Sequence, residues 1–368
     1  MHDPIPVTLL TGFLGAGKTT ILNHLLRDPA AGRIAVVVNE FGEAGLDHDL
    51  IETAAEDVVL MPAGCICCSI RGDLSKTLSA LFARRLRQEL AFDRLVIETT
   101  GLADPGPIHH TLLIDPVLSA NYVFDGIVTA VDAVLATATL DQHLEAQAQV
   151  AMADRIIVTK SDLADARTIA ALQLRLDQLN PGAPRLTADK GTVPAQAVLG
   201  PGRLRRATSP RQALDWLAAP QTRPAPAPLE GLSGLTRPGT AAPAQPAASH
   251  HTRDGRITTA SITLTDPIPA ERFDFWLDTL IALRGDKILR MKGIAYIEGC
   301  DHPFAFHGVQ SLFDPPVPLT HLPRTEPTSR VVIIARDMPR AELEESLALL
   351  RHGPEALGLA IPAQDQLA

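Results

Sequence analysis

Gly12-Phe13-Leu14-Gly15-Ala16-Gly17-Lys18-Thr19 satisfies G-x-x-x-x-G-K-[ST] at every fixed position. The spacing suits a grip on a phosphate chain. Glycines let successive backbone N–H groups curl around phosphate oxygens, and a helix that starts just after them adds positive potential. Lys18 is expected to reach the β and γ phosphates, and the Thr19 hydroxyl to bind Mg²⁺. Gly12, Gly15, Ala16, Gly17, Lys18, Thr19 and Thr20 are therefore the expected nucleotide contacts. A glycine turn that precedes a helix and binds nothing is the bland alternative, and the strand–loop–helix context speaks against it.

A phosphate loop of this kind needs a second acidic group for the metal. Leu95-Val96-Ile97-Glu98 ends an apolar run on a carboxylate, and Thr99-Thr100-Gly101 follows. Glu98 is the candidate to hold Mg²⁺, directly or through water, and Gly101 can bring a backbone N–H to the γ-phosphate. Choice of base falls to Thr159-Lys160-Ser161-Asp162. A carboxylate at Asp162 can accept from guanine N1–H and the 2-amino group, whereas adenine offers neither donor in that arrangement. The Lys160 stem can cover the base plane. Thr159 stands where the usual guanine-binding motif has Asn. It keeps a hydroxyl but is shorter and loses the amide. GTP remains preferred over ATP.

A third cluster is Gly64-Cys65-Ile66-Cys67-Cys68. Thiolates are soft donors suited to Zn²⁺. On an extended segment Cys65 and Cys67 would face one way and Cys68 the other. Three cysteines this close cannot easily close a tetrahedron, so ligands from elsewhere or water are expected. Buried apolar cysteines in a tight turn are the alternative.

Hydrophobic patterning sets the strands and helices that carry these residues. Val7–Thr11, Ile34–Asn39, Val58–Pro62, Arg94–Glu98, Gly126–Asp132 and Arg155–Thr159 are short and rich in Val, Ile and Leu. They read as buried strands of a sheet covered on both faces. Helical stretches at Lys18–Arg27, Leu74–Leu90 and Asp141–Met152 lie between them. Alternation of this kind predicts an α/β, doubly wound, mostly parallel sheet of the P-loop NTPase type over residues 1–218. A Pro- and Ala-rich linker is expected over 219–255. A smaller C-terminal α+β domain should span 256–352. It has strands near Ile257–Leu264, Ile288–Ile297, Phe304–Val309 and Val331–Ala335, and helices near Glu271–Leu283 and Arg340–Leu350. A frayed tail covers 353–368.

Composition bounds the rest. The 368 residues are 46% hydrophobic and carry a net charge of -9, which argues against a general nucleic-acid binder. Mean hydropathy is +0.10, and no run of eighteen apolar residues occurs. The N-terminus has neither the basic region nor the apolar core of a signal peptide. No membrane association and a cytoplasmic location are expected. In a reducing compartment, three cysteines within four positions favour metal or thiol chemistry over disulfides.

Together, GFLGAGKTT, NEFGE (Asn39–Glu43), GCICC, ETTGLADP (Glu98–Pro105) and the TKSD element resemble the CobW family of GTPases. These are metallochaperone-type proteins related to the hydrogenase and urease nickel-insertion GTPases. Leu289-Arg290-Met291-Lys292-Gly293 and Phe306-His307-Gly308-Val309-Gln310 look like that family's C-terminal pattern. Three stretches, LTGFLGAGKTT, DRLVIETTGLADPGPI and ADRIIVTKSDL, look most like the YjiA-type zinc-chaperone branch. The resemblance implies that Cys65, Cys67 and Cys68 are the metal-binding element. It implies that Glu40 and Glu43 lie in a switch region near Mg²⁺ or the transferred metal, Glu40 with a catalytic part beside Lys18 and Glu98. It further implies that GTP hydrolysis drives delivery of Zn²⁺, or another divalent transition metal, to a client metalloprotein. The chain departs from some relatives at Val38, where they carry an acidic residue. It also lacks the long His-rich segment of many relatives and keeps only His250 and His251.

Two other function classes stay open on sequence alone: a P-loop phosphotransferase acting on a small molecule, and a non-enzymatic zinc-sensing adaptor. The client, the cognate metal and the oligomeric state are also open. His109 and His110 read as a surface pair at a helix start more readily than as metal ligands. His307 reads as packed or hydrogen-bonded, and Trp216 and Trp276 as core or boundary residues. Arg203, Arg205 and Arg206 read as a solvated basic run.

Overall fold

The structure is a computed structural model that describes residues 3–38, 59–62, 66–199, 256–322 and 327–352, with the backbone alone for 59–62 and 66–73. The sequence candidates Glu40, Glu43 and Cys65, the linker, Trp216, the basic run 203–206 and the pair His250 and His251 lie outside the described residues.

In chain order the first part comprises β1 (Ile5–Gly12), α1 (Lys18–Arg27), β2 (Ile34–Val38), β3 (Val59–Pro62), α2 (Ile66–Leu86) and β4 (Arg94–Glu98). It continues with α3 (Gly106–Ile114), α4 (Pro116–Asn121), β5 (Tyr122–Asp132), α5 (Ala136–Gln142), α6 (Leu144–Met152), β6 (Arg155–Thr159), α7 (Ala166–Leu179), β7 (Arg185–Thr187) and α8 (Ala195–Val198). Seven strands pair in the order β3-β2-β4-β1-β5-β6-β7, every pair parallel. Every residue of β2 is buried, as an apolar run covered on both faces requires. Because all seven strands are parallel, their carboxyl ends share one edge, where α/β sheets usually bind ligands.

The second part comprises β8 (Ile257–Leu264), α9 (Ala270–Arg284), β9 (Ile288–Ala295), β10 (Phe304–Val309), β11 (Leu312–Phe313), β12 (Val317–Pro318), β13 (Ser329–Arg336) and α10 (Arg340–His352). Its antiparallel sheet runs β11-β10-β9-β13-β8, with β12 also on β10. The core of this unit gathers on Trp276, which is fully buried and donates Nε1–H to Ser346 Oγ at 3.3 Å. The other face of the sheet sends Leu289, Val309 and Ile334 into the same apolar cluster as Ile108, Leu112 and Phe124 of the first unit.

Two helices differ from expectation. The expected helix at Leu74–Leu90 begins earlier, so Cys67 and Cys68 lie in the first turn of α2 and the alternation of an extended segment does not govern them. The single helix expected at Asp141–Met152 is two, because His143 takes an extended conformation (φ −122°, ψ 117°) between α5 and α6.

Candidate functional site: a phosphate cleft at the sheet's carboxyl edge

β1 leads into the loop that α1 closes. Gly17 is the N-cap of α1 in the left-handed region at φ +87°, which a glycine adopts without a Cβ penalty, and the first N–H groups of the helix have no partner within it. Gly12 sits against β5 so closely that a Cβ would lie 2.4 Å from the Ala130 carbonyl oxygen, so any larger residue would push the loop off the sheet. The Lys18 ammonium folds back over the loop and donates to the Gly12 carbonyl at 3.0 Å. Thr19 Oγ1 donates to Glu98 Oε1 at 2.9 Å, although the two are 79 residues apart. A hydroxyl and a buried carboxylate at the foot of a glycine-walled cleft form the donor set that Mg²⁺ takes beside substrate phosphates, so these residues fit the ion.

The cleft has a volume of about 340 Å³. Gly15, Gly17, Lys18, Thr19, Thr20, Glu98, Gly101 and Lys160, all singled out by sequence, line it together with Val38 and Thr100. Gly12 and Ala16 lie behind the wall and act through their carbonyls. Asp162 is exposed on the turn Ser161–Leu163, beyond the lining residues.

Thr159 has a definite task. Its Oγ1 donates to the Ala16 carbonyl at 2.8 Å and so ties β6 to the phosphate loop. A hydroxyl thus links β6 to the loop although the amide of Asn is missing. Lys160 is left-handed at φ +54°, and its ammonium donates to the Gly15 carbonyl at 2.8 Å and to Asp132 Oδ2 at 2.7 Å. Its stem therefore lies across the loop.

Sequence reasoning passed over two residues here. Asp132 ends β5, accepts from the Val134 and Leu135 N–H groups and anchors Lys160. A carboxylate that ends an apolar strand, the signal used for Glu98, was present in Ala130-Val131-Asp132. Gln149 on α6 is buried and donates Nε2–H to the Gly101 carbonyl at 3.1 Å and the Ala103 carbonyl at 3.0 Å. It fixes the loop that follows Glu98, and nothing in its sequence surroundings marks it.

At the same edge, Val38 pairs with Pro62 on one side and Glu98 on the other. β2 therefore lies between the strand that leads towards the cysteine segment and the strand that carries Glu98. The Cys67 and Cys68 backbone enters α2 shortly after β3.

His109 corrects the surface reading of the histidine pair. It is fully buried, packs on Phe124 with ring centroids 4.3 Å apart, and places Nε2 3.8 Å from Asp314 Oδ2 of the second unit. Its helix starts at the junction between the units, where the partner is two hundred residues away in sequence. His307, expected to be packed or hydrogen-bonded, is buried with Nε2 3.1 Å from Asp314 Oδ2. Burial pushes its imidazole down to about 3, and Asp314 only partly opposes this. Nearby, Asp154 meets Arg290 and, at 3.0 Å, Lys292. Burial alone would raise the Asp154 carboxyl, but the two cations hold it well below the usual carboxylate range.

Comparison with known proteins agrees with this architecture. Residues 6–187 match the CobW/HypB/UreG nucleotide-binding domain, and residues 257–351 the cobalamin synthesis protein CobW C-terminal domain. The chain is 34% identical over 355 residues to the zinc chaperone YjiA of Escherichia coli, covering 95% of this chain and 99% of that protein. It is 33% identical to the zinc chaperone CobW of a Sinorhizobium species over 54% of this chain and 63% of that protein. Among solved structures, Zn(II)-bound YjiA GTPase from E. coli superposes with a TM-score of 0.69 at 30% identity, covering 95% of this chain and all of that one. Among the described residues, no helix is long and apolar enough to cross a membrane.

Proposed function

Because the chain belongs to the CobW/HypB/UreG family, we propose that it binds and hydrolyses GTP with Mg²⁺ and uses that cycle to deliver Zn²⁺ to a client metalloprotein in the cytoplasm. Lys18 and the N–H groups at the start of α1 take the β and γ phosphates. Thr19 and Glu98 hold Mg²⁺, which when bound neutralises charge on the phosphates. Gly101 offers its N–H to the γ-phosphate, and Glu40 orients the attacking water. Asp162 accepts from guanine, and Lys160, braced by Asp132, covers the base. Zn²⁺ is the cargo, taken by Cys65, Cys67 and Cys68 with Glu43. Relatives named as zinc chaperones support this choice of metal.

One observation carries the reading. β2 runs between β3 and β4, so Val38, the last described residue of this strand, stands between Pro62, which ends the strand before the cysteine segment, and Glu98. A segment rooted there can respond to the γ-phosphate and to the metal at once.

Base choice tests the nucleotide half. Asp162→Asn should weaken GTP binding by at least about tenfold and weaken XTP binding less, since xanthine has an acceptor where guanine has its 2-amino donor. Competition among GTP, ATP and XTP on both proteins measures this. Equal wild-type affinity for ATP and GTP would remove Asp162 from the base site.

A further inference from the structure

The loop between β4 and α3, residues 99–105, is held from two sides. From within, buried Gln149 donates to the Gly101 and Ala103 carbonyls. From outside, the contact comes from the C-terminal domain: Gln310 Nε2 donates to Asp104 Oδ2 at 3.3 Å. The other Asp104 oxygen accepts from the Gly106 N–H at 2.8 Å, so one carboxylate joins the start of α3 to the second domain. The Gln310 amide lies directly over Gly106, where a Cβ would come within 2.6 Å of its Cδ and Nε2. Gln310 itself occupies the turn between β10 and β11 at φ +57°. A non-glycine residue keeps that left-handed conformation at a cost, and such strain persists where the surroundings require it.

We infer that Gln310 is a positioning residue for GTP hydrolysis, through which the C-terminal domain acts on the loop that faces the γ-phosphate. The inference rests on the GTPase reading of the cleft. Thr100 and Gly101 line that cleft, and Asp104 follows three residues later. A movement of Gly101 towards the phosphate therefore displaces the carboxylate that Gln310 holds. The β10–β11 hairpin must follow or release it. Conversely, a hairpin fixed in place restrains Gly101.

Two variants isolate the contact without disturbing the phosphate loop. Gln310→Asn tolerates the left-handed backbone and keeps an amide, but is one methylene too short. Gln310→Gly removes the amide and relieves the strain. Phosphate release from GTP gives kcat and KM, with Lys18→Ala as the blank. Hydrogen exchange of residues 304–313 is followed with GDP and with a non-hydrolysable GTP analogue. Both variants should lower kcat at least about fivefold and leave KM within about twofold. Gln310→Gly should melt no earlier than wild type. Wild-type hairpin exchange should differ between the two nucleotides, and that difference should vanish in both variants. Wild-type kcat with wild-type exchange differences in both variants would overturn the inference. Phosphate release by wild type no faster than by Lys18→Ala would instead overturn the GTPase reading. In that event the exchange arm still decides whether Gln310 links the domain to the loop.

Discussion

The molecule has two polar centres of opposite design. At the carboxyl edge of the parallel sheet, Lys18, Thr19, Glu98 and Lys160 surround an open cleft and bond mostly to backbone carbonyls and to one another. At the junction of the two domains, His109, Arg290, Lys292, His307 and Asp314 are buried, and the nearly buried Asp154 carboxylate meets the two cations. The cleft keeps its charges where a ligand can meet them. The junction has committed its charges to one docking geometry. Function should therefore be sensitive at the cleft with little effect on stability, and stability sensitive at the junction with the phosphate loop chemically intact.

Lys18→Ala should separate the two centres most strongly. Loss of the ammonium proposed to bind phosphate should lower GTP turnover by about a thousandfold, or ~4 kcal/mol of barrier. Unfolding free energy should change by no more than about 1 kcal/mol, since the side chain gives up only partly buried bonds to loop carbonyls. Phosphate release and urea unfolding on the same preparation test both halves, and a large loss of stability would blur the contrast.

Asp154→Ala should do the reverse. It leaves Arg290 and Lys292 buried without their carboxylate, a change that costs about 3–5 kcal/mol. Denaturant unfolding should show that loss, or an early transition as the domains part. Unchanged stability would mean that water reaches the junction and screens the cations.

A smaller effect sharpens the same point through pH. Burial holds His307 neutral down to about 3, against Asp314, which favours the charged form, and amid Arg290, Lys292 and Asp154. In the unfolded chain the imidazole titrates near its ordinary ~6.5. As pH falls below that value the unfolded state takes up a proton that the fold refuses, so stability is present above ~6.5 and declines towards about 3. Between pH 7 and pH 5 this contributes a decline of about 2 kcal/mol. His307→Gln, which retains a donor for Asp314, should remove that share of the slope. An unchanged slope would place the titration elsewhere.

The cleft was largely legible in sequence because its residues belong to short motifs whose spacing is itself the geometry. Lys18 and Thr19 are adjacent to the glycines that shape their loop, and Glu98 and Thr159 end apolar strands. Asp132 was legible by the same rule and went unread because no motif drew attention to it. Gln149 was not legible: a glutamine inside Ala146-Gln147-Ala148-Gln149 gains its role only when α6 packs against the loop after β4. The junction was equally hidden. His109 looks like a surface residue because a helix start usually is one, and its burial depends on a domain that follows the linker. α2 starts ahead of the expected Leu74 because the cysteine spacing suits an extended chelating segment, which hides a first helical turn at Cys67 and Cys68.

We propose that the nucleotide and metal sites are coupled across one sheet edge. Zn²⁺ titration against a chromophoric chelator tests it, with GDP, with a non-hydrolysable GTP analogue and with neither, on wild type and on Cys67→Ser and Cys68→Ser. Wild-type zinc affinity should differ between the GDP and GTP-analogue forms by about 1–3 kcal/mol, roughly 5–150-fold, and fall in both serine variants. Identical affinities in all three nucleotide states would contradict the coupling, and unchanged affinity in both serine variants would contradict the cysteine site.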